Sequence, residues 1–206
     1  MNEHGMLVVV SGFSGAGKGT LMKALLNRYE NYALSISATT RAPRTGEVDG
    51  REYFFVTEEH FKNMIEKEEL IEYAQYVNHS YGTPREYVLN QMKMGKDVIL
   101  EIEIQGALKV KERFPEAILL FVMPPNAQEL KRRLVGRGTE SMEVINARLR
   151  RAAEEAQGME AYDYILINDE IDTCVEEMHL MIQIQHKRAS NNMAFLSQIR
   201  EELKNI

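Results

Sequence analysis

Seven residues near the start of the chain limit its architecture more than any other segment. Gly12-Phe13-Ser14-Gly15-Ala16-Gly17-Lys18 fits the spacing G-x-x-x-x-G-K, directly after an apolar run at residues 7–10 and before a helical pattern at residues 20–29. A glycine-rich turn in that setting lets the backbone wrap around a phosphate and point its N–H groups inward. The helix N-terminus adds partial positive charge, and Lys18 is placed to reach the outer phosphate oxygens. The expected ligand set is Gly12, Phe13, Ser14, Gly15, Ala16, Gly17, Lys18, Gly19 and Thr20. The motif places a Ser or Thr hydroxyl after its lysine to meet Mg²⁺, but here Gly19 takes that position and Thr20 follows. The metal is therefore expected to ride on the nucleotide phosphates, and no protein ligand for it is named. By itself the loop indicates a nucleoside triphosphate and leaves hydrolase, switch and kinase open.

Three further apolar runs, at residues 98–104, 117–122 and 164–167, have the length and composition of buried parallel strands. Helical patterns lie between them. Thr83-Pro84-Arg85-Glu86 has capping-box spacing with proline at the first helical position, which makes Thr83 a candidate N-cap. Another helix starts at Asn126, and Thr173 is placed to open a long helix running toward Leu203. Such strand–helix alternation predicts an α/β fold with a parallel sheet core. Residues 36–92 differ, mixing turn signals at residues 41–46, a strand-like piece at residues 52–56 and a helix at residues 58–69. They are expected to form an inserted subdomain.

The net charge of −6 argues against a general polyanion binder, so no nucleic acid partner is expected. Locally the balance reverses: residues 131–151 carry seven basic and two acidic side chains, a pattern suited to a small anionic ligand. No apolar run approaches the ~20 residues of a membrane span, and the N-terminus lacks a signal-peptide pattern. With a single cysteine, Cys174, the expected setting is the reducing cytoplasm. The oligomeric state is left open by the apolar face of the last helix.

Several stretches together resemble the guanylate kinase family. They are residues 35–44 (Ser35 to Arg44), residues 46–55 (Gly46 to Phe55), Ile71-Glu72-Tyr73-Ala74, Tyr81-Gly82-Thr83 and Leu100-Glu101-Ile102-Glu103-Ile104-Gln105-Gly106, with the phosphate loop and Gly136-Arg137-Gly138. The likeness spans roughly residues 6–185 in family order. It implies a P-loop nucleoside monophosphate kinase fold in which ATP, carrying Mg²⁺, phosphorylates GMP. Small nucleotide kinases often end the loop in Gly-Thr, as here.

The residues themselves read compatibly with that resemblance. Arg41 and Arg44 sit three apart around a proline turn, suited to grip one dianionic phosphate. Tyr53 and Tyr81 supply phenolic donors, and the family uses these four positions for the GMP phosphate. Guanine presents N1–H and a 2-amino group along one edge, which a carboxylate accepts and adenine does not match. The resemblance gives that role to Glu72, with Ser37 and Thr83 toward O6. Glu101 and Glu103 stand where the family commonly carries aspartates, and alternate positions on one strand would place both on one face. Arg133, Arg137 and Arg148 resemble the family's lid arginines, whereas Arg132, Arg150 and Arg151 read as solvated helix charges. Asn168 matches the family's adenine-side position. Lys18, Arg41, Arg137 and Arg148 are the expected catalytic set. The expected divisions are a core with the phosphate loop (1–35), a GMP-binding subdomain (36–92), core (93–130), lid (131–152), and core with the C-terminal helix (153–206). A non-catalytic interaction module, a kinase for another monophosphate such as AMP, and a P-loop hydrolase are the competing readings.

Overall fold

The computed structural model describes residues 4–76, 78–136, 138 and 140–205. Its centre is a five-stranded parallel sheet built on β1 (Leu7–Gly12), whose run of valines is buried on both faces. Such residues fit a doubly covered strand, and each fully buried Val, Leu or Phe contributes about 1.5–3 kcal/mol. The backbone turns through the loop into α1 (Lys18–Arg28), which packs Leu21, Met22 and Leu25 inward. β2 (Tyr32–Leu34) returns to the sheet edge, a short strand that the sequence did not signal.

The inserted segment then forms a second sheet from β3 (Ala38–Thr39), β4 (Phe54–Phe55), β5 (Leu70–Tyr76) and β6 (His79–Pro84), in the order β4-β3-β6-β5. Between β4 and β5 lies α2 (Glu58–Glu66), capped by the Thr57 hydroxyl, which accepts from His60 N at 3.1 Å. This sheet and helix share a small core of Ala38, Phe61, Met64 and Leu70.

The chain re-enters the main body with α3 (Arg85–Lys93), β7 (Asp97–Glu101), α4 (Ile104–Arg113) and β8 (Ile118–Met123). It continues through α5 (Ala127–Gly136), α6 (Met142–Ala156), β9 (Tyr164–Ile167), α7 (Ile171–Gln185) and α8 (Met193–Lys204). The main sheet reads β2-β7-β1-β8-β9, with every pairing parallel. That is the α/β arrangement of a P-loop fold, in which ligands collect at the carboxyl ends of the strands.

Three local expectations are corrected. The N-cap of α3 is Pro84, while Thr83 lies in β6 and spends its hydroxyl on another partner. β7 stops at Glu101, so Glu101 and Glu103 do not share a strand face; Glu103 is the N-cap residue of α4. The last register pair between β1 and β7 is Val10 with Glu101, and beyond it the chain bends into α4. Finally, the C-terminal helix opens at Ile171 and is interrupted after Gln185, giving α7 and α8 in place of one long helix. Asn191 Nδ2 donates to Gln185 O at 2.9 Å and Asn192 Nδ2 to His186 O at 2.7 Å, so side-chain amides satisfy carbonyls that a continuing helix would have used.

Candidate functional site

The loop between β1 and α1 is held from several sides. Gly17 adopts φ of 92°, a left-handed conformation that favours glycine, and a Cβ there would lie 2.5 Å from Asn168 Nδ2. That amide, on a residue 5% exposed just after β9, donates to Ala16 O at 2.8 Å. Arg133 on α5 donates to the same carbonyl at 3.3 Å, while Glu129 fixes its Nε at 2.7 Å. Hydrogen bonds from Arg132 and Arg133 hold the Glu129 carboxyl down to about 2. Arg148 on α6 donates to Ser14 Oγ at 2.6 Å and pairs with Glu140. Lys18 Nζ folds across the loop, donating to Gly12 O at 2.7 Å. Arg133, Arg148 and Asn168 are thus brought to the loop from three separate elements. Arg137 lies outside the described residues.

A cleft of about 280 Å³ opens beside Lys18, lined by Gly12, Ser14, Glu101, Glu103 and Glu155 among others. Glu101 and Glu103 reach it by different routes, one from the exposed end of β7 and one from the start of α4. Glu155, on α6, was not foreseen. Burial pushes its carboxyl up, against the hydrogen bond from Arg151 and the charge of Lys18. Arg151 is an exposed helix charge, as expected; its Nε donates to Glu155 at 3.1 Å, and its guanidinium lies 3.5 Å from Glu103.

The inserted sheet presents a different chemistry. Glu72 in β5 is 7% exposed, and its Oε1 accepts from Thr83 Oγ1 in the neighbouring β6 at 2.8 Å. Burial raises the Glu72 pKa, with the Thr83 hydrogen bond and then the Lys109 charge opposing. A dry carboxylate with one oxygen anchored is built to accept from a ligand donor, since leaving it unmatched carries a desolvation penalty.

Nearby, Arg41 donates from Nη2 to both oxygens of Glu47, at 2.9 and 3.0 Å. Its guanidinium lies 5.3 Å from the ring centroid of Tyr53, and the Tyr53 and Tyr81 rings are 6.0 Å apart. Arg41, Tyr53 and Tyr81 therefore form one group. Arg44 joins through its backbone, donating to Glu47 Oε2 at 2.7 Å, while the residue itself is exposed. Glu47 was missed by the sequence reading; the one available signal was an acid inside the turn that carries both arginines. Its carboxyl is held below the usual range by the Arg41 hydrogen bond and then the Arg44 N–H. Ser37 stands between β2 and β3, where its carbonyl accepts from Phe54 N at 2.9 Å.

The junction at residues 101–106 borders both halves. Glu101, Ile102, Glu103 and Ile104 line the Lys18 cleft, and Gly106 lies against the Glu72 carboxylate. As for metal, among the described residues no group of three or more His, Cys, Asp or Glu is arranged to hold an ion. Gly19 also offers no hydroxyl, so these residues do not form a protein cage for Mg²⁺.

A family model described as guanylate kinase matches residues 4–185. A guanylate kinase of Caldanaerobacter subterraneus subsp. tengcongensis is 50% identical over 202 residues, covering 98% of each chain. One from Halalkalibacterium halodurans is 54% identical over 184 residues, covering 89% of this chain and 90% of that one. The crystal structure of guanylate kinase from Anaplasma phagocytophilum superimposes with a TM-score of 0.71 at 32% identity, covering 91% of this chain and 89% of that one. The family match takes in the phosphate loop, the inserted sheet and every strand of the main sheet, so the likeness is to the whole site-bearing fold: the chain belongs to the guanylate kinase family.

Proposed function

We propose that the chain transfers the γ-phosphoryl group of ATP to GMP, giving ADP and GDP, in purine nucleotide metabolism and GMP recycling. The observation that carries this reading is the placement of residues 101–106, which border the Lys18 cleft on one side and the Glu72 carboxylate on the other. ATP, with its Mg²⁺ riding on the phosphates, docks on residues 12–20. GMP docks on the inserted sheet. Glu72 accepts from guanine N1–H and the 2-amino group, Ser37 and Thr83 serve O6, and Glu101 and Glu103 flank the nucleoside. Arg41, Arg44, Tyr53 and Tyr81 hold the monophosphate, which takes over the guanidinium that Glu47 keeps in position.

A GMP phosphate oxygen attacks the γ-phosphorus in line as the bond to the β–γ bridging oxygen breaks, and ADP leaves with that oxygen. The attacking oxygen is already ionised near neutral pH, so no side chain has to remove a proton. Lys18, Arg41, Arg137 and Arg148 spread the charge, and Arg133 and Asn168 keep the loop in shape for the triphosphate. Residues 131–152 act as a lid and residues 36–92 as the GMP-binding flap. Two nucleotide substrates and a lone buried thiol support a cytoplasmic setting. The exposed apolar residues Leu180 and Ile184 on α7 and Phe195 and Leu203 on α8 are compatible with an oligomer. No helix among the described residues is long and apolar enough to cross a membrane, and no nucleic acid partner is proposed.

A coupled assay across AMP, GMP, CMP and UMP tests the reading. GMP is the expected acceptor, and Glu72→Gln lowers kcat/KM for GMP roughly 100-fold through the lost charged hydrogen bonds. Ready turnover of AMP, with little loss in that variant, would overturn the assignment of the base site.

A further inference from the structure

Gly106 sits in the first turn of α4, where nothing about the backbone calls for glycine. Its φ is not positive, and glycine within a helix is unfavourable relative to alanine. The reason for it lies in what faces it. A Cβ at position 106 would stand 3.2 Å from Glu72 Oε2, 3.7 Å from Glu72 Cδ and 3.3 Å from Ile102 Cδ1. A contact of 3.2 Å is tighter than ordinary packing, so one partner would have to move. Ile102 can yield by turning a flexible side-chain end. Glu72 has less freedom, because its other oxygen is fixed by Thr83 at 2.8 Å and the residue is buried in β5.

We infer that Gly106 is a specificity-determining position: its missing side chain leaves the space that Glu72 Oε2 needs to meet guanine, an inference that rests on the GMP reading. A methyl group here would tilt the carboxylate about its Thr83 anchor. It would also set a hydrocarbon group against the oxygen that has to accept from the base. The two donors of guanine lie along one edge, so a tilted carboxylate meets one of them poorly. Gly106 touches the base only through Glu72 and is a positioning residue.

The test is Gly106→Ala, a change that favours the helix and leaves its backbone path open. The expected result is a KM for GMP raised roughly 10- to 100-fold, the loss of one well-made charged hydrogen bond. The KM for ATP stays at the wild-type value, and the thermal midpoint is unchanged or higher. In a Glu72→Asp background, where the carboxylate is withdrawn by one methylene, the same alanine adds no further penalty, which a general structural role would not predict. Should Gly106→Ala fold poorly, Gly106→Ala with Ile102→Val removes the other close contact and gives the same readout. An unchanged KM for GMP in Gly106→Ala, with Glu72→Gln still defective, would overturn the inference and leave the GMP reading standing. An equal alanine penalty in both backgrounds would also overturn it. If Glu72→Gln itself leaves GMP use intact, the underlying reading fails and this one fails with it.

Discussion

Glu72 is the residue at which stability and function pull in opposite directions. Burial raises its pKa in the folded protein above the ordinary glutamate value of about 4.3. A group whose folded pKa is raised stabilises the fold below its unfolded pKa, and that contribution is lost as pH rises through the folded value. Once pH exceeds the ordinary glutamate value, the wild-type protein progressively loses it. Glu72→Gln, uncharged at every pH and still able to accept from Thr83, is expected to have a higher urea midpoint than wild type at pH 7. Its advantage should shrink as pH falls from the raised folded value toward the ordinary glutamate range, and be gone below that range. A lower midpoint at pH 7 would mean that the charged Thr83 hydrogen bond outweighs burial. The sequence singled out Glu72, Arg41 and Lys18 because each lies inside a contiguous motif. Glu47 and Gly106 lie inside such stretches too, but what singles them out, as with Glu155, is which side chain the fold sets opposite them, information that no local spacing carries.

At the level of elements, the start of β1 and the end of α7 are tied to the sheet by one buried carboxylate. Asp97, 1% exposed at the start of β7, accepts from Met6 N at 2.9 Å, from Asn31 Nδ2 at 3.4 Å and from Gln183 Nε2 at 3.2 Å. It also meets His186 Nε2 at 2.8 Å, beyond the end of α7. Asp97→Ala removes the shared acceptor and strands several donors, so a loss of roughly 3 kcal/mol in urea unfolding is expected, with the KM for GMP unaltered. A loss below about 1 kcal/mol would show that these donors find water or other partners at little cost. The main strands were legible because a doubly covered parallel strand is a nearly continuous apolar run. Their ends were not, because a strand ends where it leaves its neighbour: β7 stops pairing at Glu101 and bends into α4, while β1 runs on through Gly12 beside β8. β2, three residues long, is set by its pairing with β7 more than by its own pattern. The break after α7 depends on Asn191 and Asn192 reaching back to carbonyls, a tertiary choice that helical periodicity averages away.

For the whole molecule, the decisive feature is that β5 belongs to two cores at once. Leu70 packs into the small cluster with Ala38, Phe61 and Met64, whereas its neighbour Ile71 packs into the main cluster around β1. Alternate side chains of one strand point to opposite faces, so β5 joins two bodies that each bury their own apolar surface. Arg113, near the end of α4, donates to Ile71 O at 2.9 Å and steadies that joint from the main body. Two bodies that each bury their own core can rotate about this joint, as a kinase requires if it is to exclude water while the phosphoryl group moves. The expected motion brings the turn at Val48, which is exposed, toward Met142, exposed at the start of α6. Dyes on Val48→Cys and Met142→Cys would report it. The native Cys174 need not be removed, because it is 1% exposed and burial pushes its thiol up to about 12. Energy transfer should rise most with GMP and a non-hydrolysable ATP analogue together, and less with either alone. In Glu72→Gln the GMP-dependent part should disappear at GMP concentrations that saturate the wild type. Transfer unchanged by both nucleotides together would mean that the two cores form one rigid body, and that the arginines reach the phosphates by side-chain motion alone.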